Sequence, residues 1–218
     1  MTFRRVTICA KFYMGYLEAA GERGYVIGAA WQAGVASKAG ISRNGLVEAL
    51  RETEKWWGYP FFDVSGPPSS AHKISVLNEH GHIVLDDFLR IAGGWDPGKP
   101  YYALMDNIRD RVEVFRGWNE VERVDSGESP ALLMSDLVLT WQVGRGASFG
   151  ELSRLADTPQ KIYSAVGRVE RYFGVRFIKR PTSTGAPNWT EVGLACQLEF
   201  EEIARRWQRL LALRSRGG

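Results

Sequence analysis

A chain of 218 residues, 44% apolar and 12% aromatic, has the material for one large or two small packed domains. No apolar run approaches the roughly 18 residues of a membrane span, and MTFRRVTICAKFYMGYLEAAGERG lacks the apolar stretch of a signal peptide, so a cytoplasmic, nucleoid-associated protein is expected. The net charge of +3 excludes a polycation, and Cys9 and Cys196, far apart in sequence, are expected to be reduced thiols rather than a disulfide framework.

Charge is unevenly spread: +1 over residues 1–92, −4 over 93–136 and +6 over 137–218. A basic C-terminal third suits a polyanion partner. Along the chain, LEAAGERG (17–24) ends a first apolar helix. GLVEALRETEKWWG (45–58) then gives a helix with Leu46, Leu50, Thr53 and Trp57 on one stripe. PFF (60–62) reads as a short strand, SGPPSS as a loop, and LNEHG (77–81) as a helix start capped by Asn78. GGWDPGKP (93–100) is the clearest break, and DSGESP (125–130) a second. Between them, YYALMDNIRDRVEVFRGW carries Leu104, Ile108, Val112 and Phe115 on one side of a helix. A further apolar helix covers about 133–143, FGELSRLA (149–156) a short one, and TPQKIYSAVGRVERYFG (158–174) a third. In the third, Ile162, Val166, Val169 and Phe173 form the apolar stripe, while Lys161, Ser164, Arg168 and Arg171 lie opposite. Thr158 is its N-cap, Pro159 its first residue and Gly174 its end. RFI (176–178) reads as a strand, RPTSTG as a loop, and WTEVG (189–193), capped by Thr190, opens a final helix over about 191–213.

The two halves repeat one pattern. GERG and VGRG, EKWWG and ERYFG, PFF and RFI, SGPPSS and RPTSTG, and the caps at Asn78 and Thr190 recur in the same order. Each copy therefore reads as three helices, a two-strand wing and a closing helix. The expected fold is mainly α with small β-wings: two tandem winged helix-turn-helix domains, 1–92 and 131–218, joined by a helical linker over 93–130.

RGASFGELSRLADTPQKIYSAVGRVERYFGVRFIKR (145–180) together with WTEVG resembles the DNA-binding domain of LysR-type transcriptional regulators, and is similar to that of molybdate-responsive regulators. The resemblance covers roughly the last 80 residues. It departs in a turn one residue short, in the order of TPQ, and in Trp189 where leucine is usual. It implies that the helix from Thr158 enters the major groove. Gln160 would suit adenine, Lys161 or Arg168 guanine or phosphate, and Ser164 and Arg171 would share the face. The wing would bring Arg176, Lys179 and Arg180 to the phosphate backbone. It also implies homodimerisation through the final helix, the alternative being an intrachain pseudo-dimer. No effector-binding domain is expected beyond that helix, and any signal is expected through a protein co-regulator or through abundance.

The N-terminal copy threads two ways: Ser42 caps its third helix, or IGAAWQAG is the second helix and the third starts near Ser37. Glu48 and Glu52 stand where the other copy has Ser164 and Arg168. Carboxylates there repel phosphate, so this copy reads DNA through Lys38, Ser42, Arg43 and Asn44, or serves packing and protein contact. His72, His80 and His82 lack a third ligand with metal spacing, and no phosphate loop or nucleophile elbow is present. No metal, cofactor or enzymatic activity is expected. The reading is a sequence-specific DNA-binding transcriptional regulator, with a mobile-element replication initiator and a protein-interaction scaffold of winged helices as alternatives.

Overall fold

The structure, a computed structural model, describes residues 1–66, 73–93, 103–118, 121–125, 131–147, 149–152, 157–179 and 188–215. The chain is mainly helical, with one small three-stranded antiparallel sheet among the described residues. It forms two compact units: Arg4–Ala103 with Leu210–Gly218, and Leu104–Arg209 with Met1–Phe3.

The N-terminal unit runs α1 (Phe3–Ala20), β1 (Val26–Ile27), α2 (Ala30–Lys38), α3 (Arg43–Trp57), β2 (Phe62–Ser65), β3 (Ile74–Leu77) and α4 (Glu79–Ala92). Ser42 caps α3, its hydroxyl accepting the Gly45 N–H at 3.0 Å. Ser37 and Lys38 are the last turn of α2, which removes the threading that began the third helix near Ser37. Leu46, Leu50, Thr53 and Trp57 are buried, as their spacing requires of a helix laid against a core. Opposite them, α1 contributes Val6, Cys9, Phe12 and Tyr16. The Cys9 thiol lies 3.3 Å from the Thr53 hydroxyl, and burial pushes its pKa up to about 12, which leaves it an inert thiol. The strands order β1-β3-β2, with Ser75 opposite both Val26 and Val64.

The C-terminal unit contains α5 (Leu104–Arg116), α6 (Met134–Gly144), α7 (Phe149–Leu152), α8 (Pro159–Phe173), α9 (Glu191–Ala195) and α10 (Gln197–Ser215), the last as far as Arg209. Within the span expected as a helical linker, 93–130, α5 belongs to this unit. Met105, Ile108 and Val112 of α5 are buried in this unit, and Arg111 donates twice to Glu199. RFI (176–178) is not a strand. Instead Ile178 bridges Trp189, and Val175 bridges Arg123, so residues 122–124 run antiparallel to 174–176.

The internal repeat extends to individual bonds. α3 and α8 both have 15 residues. Thr158 accepts the Lys161 N–H as Ser42 accepts that of Gly45. In one unit the Phe61 N–H donates to Glu54 at 2.7 Å; in the other the Phe177 N–H donates to Glu170 at 2.9 Å. The Asn78 and Thr190 N–H groups then donate to the carbonyls of Phe61 and Phe177. A Cβ at Gly81 or Gly193 would sit 2.4 Å from the same two carbonyls, so only glycine lets the closing helix approach.

Candidate nucleic-acid interface

α8 is placed by its own amphipathicity. Ile162, Ala165, Val166, Val169 and Phe173 pack inward, most directly onto α6. Gln160, Lys161, Ser164 and Arg171 remain exposed, as does Thr158 at the cap. Gln160, Ser164 and Arg171 make no hydrogen bond or ion pair with described residues. Lys161 pairs with Asp157, whose carboxyl is held below the usual range by that hydrogen bond. Both side chains are mostly in water, at 61% and 81% exposure, so the pair opens readily to a competing anion.

Two of the expected DNA contacts are bonded to buried carboxylates. Arg168 donates to both oxygens of Asp136 at 2.9 and 2.6 Å, and Asp136 is 1% exposed. That hydrogen-bonded carboxylate raises the Arg168 pKa further. Asp136 also accepts the Leu133 N–H, so one carboxylate caps α6 and holds α8 against it. Opening such a pair exposes a buried charge at roughly 3 kcal/mol or more. Arg168 is thus held by Asp136 and positions α8 on α6. Arg176 donates to the buried Glu170 and to Glu122, and its side chain is 18% exposed, so it too is committed to the fold. Burial raises the Glu170 pKa, against the Ile178 and Phe177 N–H groups and Arg176, which lower it. Lys179 is exposed at the base of the expected wing, its N–H bonded to the Asn188 carbonyl. Arg180 and the tip of that loop lie outside the described residues, as does His72.

In the N-terminal unit, Lys38 pairs with Glu18 at 2.9 Å, Arg43 donates to Gln32 at 3.4 Å, and Asn44 is exposed. Glu52 pairs with Arg5. Arg5 is the third residue of α1 and Asp136 the third of α6, so the pair that holds the third helix recurs with its signs exchanged. Four further residues face these surfaces without having been singled out from sequence. Tyr163 is 55% exposed on α8, and a Cβ added at Gly167 would meet nothing within 4 Å. Arg51 and Lys73 line a groove of about 750 Å³ between α3 and the β2–β3 hairpin. The signal for Tyr163 in the sequence is its place next to Ser164 on the side of α8 away from the apolar stripe.

No group of three metal-ligating side chains occurs among the described residues, and no helix is long and apolar enough to cross a membrane. His80 lies against the Tyr59 ring at 4.7 Å in a tilted arrangement, with its pKa lowered by burial. No protein-family model, curated protein or solved structure matches the chain.

Proposed function

We propose that the chain is a sequence-specific, duplex-DNA-binding transcriptional regulator made of two winged helix-turn-helix units, with α8 as the recognition helix. The element order of the N-terminal unit, helix, strand, helix, helix, hairpin, supports this reading, as does the bond-for-bond repeat in the second unit. The observation that carries it is the outward row of α8. Gln160, Lys161, Ser164 and Arg171 offer an amide, two cations and a hydroxyl, side-chain types that pair with base edges and phosphates, and no described element covers them. Gly167 sits in the middle of this row. Glycine in a helix interior costs about 0.5–1 kcal/mol relative to alanine, and no neighbour among the described residues requires it at this position. A partner surface that approaches the helix backbone closely gives it a reason.

In this reading Lys179 lies along the phosphate backbone, and Tyr163 stacks on sugar or packs against a thymine methyl. A homodimer is part of the proposal: α10 leaves Leu198 72% exposed, on the helix that the resemblance assigns to dimerisation. The test is recovery of DNA crosslinked to the protein in cells, with wild type and with Gln160→Ala/Lys161→Ala/Arg171→Ala. A small set of sharp sites, absent from the variant, is the expected result. Uniform background with both proteins would refute the reading, and sites confined to one replication origin would replace it with an initiator.

A further inference from the structure

The groove between α3 and the β2–β3 hairpin has chemistry of its own. Arg43 and Arg51 from α3 and Lys73 beside β3 bring three cations to it. Two carboxylates, Glu48 and Glu52, line it as well. Glu52 is paired with Arg5, which leaves Glu48 as the one lining carboxylate without an ion pair among the described residues. The groove is therefore net basic, with a single uncommitted carboxylate at the position Ser164 occupies in the other unit.

We propose that this groove is a second duplex-DNA site, in which Arg43, Arg51 and Lys73 hold phosphates and Glu48 accepts a hydrogen bond from the exocyclic amine of a cytosine. The inference rests on the DNA-binding reading of α8 and extends it to the N-terminal unit. An ionised carboxylate can only accept hydrogen bonds. The major groove offers two donors, the cytosine N4 amine and the adenine N6 amine. Adenine places its N7 acceptor beside that amine, which repels the second carboxylate oxygen, whereas cytosine places a C–H there. Glu48 consequently favours cytosine and disfavours every base edge that shows only acceptors. The surrounding cations offset its repulsion from the backbone, so the carboxylate works as a discriminator.

The experiment is selection from a randomised duplex pool by the full chain, followed by salt titration of the selected duplexes. Four proteins are compared: wild type, Glu48→Gln, Arg43→Ala/Arg51→Ala/Lys73→Ala, and Lys161→Ala/Arg171→Ala. Wild type is expected to select a site with one strongly required C·G pair. Glu48→Gln, whose amide suits adenine bidentately, is expected to change that preference to A·T. The triple variant is expected to flatten the salt dependence by about 2.7 in log–log slope, for three lost phosphate contacts. An unchanged site, bound more tightly by Glu48→Gln at every sequence, would overturn the role of Glu48. Unaltered binding by the triple variant would overturn the groove as a DNA site. If binding is lost only with Lys161→Ala/Arg171→Ala, this inference alone falls. If wild type selects no duplex, the α8 reading falls with it.

Discussion

Replacing Gly167 with alanine separates what the fold needs from what a partner needs. A Cβ at this position meets no atom within 4 Å, and the residue is not among the glycines with positive φ, so alanine enters without strain. The gain is the intrinsic helix preference, roughly 0.5–1 kcal/mol. For a unit of about a hundred residues, that raises Tm by roughly 2–8 °C. If α8 lies in a DNA groove, the added methyl stands in the contact between Ser164 and Arg171 and pushes the helix outward. A tenfold loss of duplex affinity, about 1.4 kcal/mol, is the expected scale. Urea unfolding followed by tryptophan fluorescence gives the first quantity, and fluorescence anisotropy of a labelled duplex the second. Higher stability with undiminished binding would show that nothing approaches this face and would remove the main support for the reading. Lower stability would show that the space around Gly167 is not open.

Arg168 and Arg171 stand three residues apart on α8 and should behave oppositely. Arg168→Ala leaves the buried Asp136 unpaired and is expected to destabilise the C-terminal unit by about 3 kcal/mol in urea unfolding. Arg171→Ala should leave stability within about 0.5 kcal/mol while weakening duplex binding and lowering its salt slope by about 0.9. Glu170→Ala strands the Phe177 and Ile178 N–H groups and leaves Arg176 only its pair with Glu122, and should unfold the unit or destabilise it by about 3–5 kcal/mol, read by calorimetry. Glu54 carries a carboxyl whose pKa burial raises, against the Phe61 N–H and Arg51, which lower it. The folded chain then binds this proton more readily than the unfolded one, so Glu54 favours folding at low pH and that contribution is lost as pH rises through the raised pKa. Glu54→Gln should keep the Phe61 hydrogen bond, flatten this part of the stability profile between pH 4 and 7, and not destabilise the protein at pH 7. A steeper profile for Glu54→Gln would contradict the direction of the shift.

The features legible in the sequence were those fixed by local chemistry. Ser42, Asn78, Thr158 and Thr190 are small polar residues set before apolar periodicity, and all four cap the helices they precede. The stripe of α8 and its end at Gly174 follow from spacing in the same way, and the internal repeat was visible because such signals recur in order. What failed to show was anything decided by a partner distant in the chain. Periodicity puts Arg168 on the outward side of α8, but only the packing of α6 brings Asp136, 32 residues away, within bonding distance. Arg176 is likewise claimed by Glu122, 54 residues upstream, in a segment that sequence assigned to a linker. Glu52 looked repulsive until Arg5, 47 residues distant, was placed against it. β1 has two residues, too short for any alternation to register, and part of it was drawn into one threading of the second helix.

The central claim is that the outward face of α8 meets duplex DNA, and Tyr163 offers a direct probe of it. A photoreactive phenylalanine analogue placed at position 163 replaces an exposed aromatic ring on that face, and the same analogue at Val114, 67% exposed on α5, serves as the reference. Irradiation in living cells should join DNA covalently to the protein from position 163, with position 114 giving little. Equal yields from the two positions, or proteins but no DNA captured from 163, would contradict the claim.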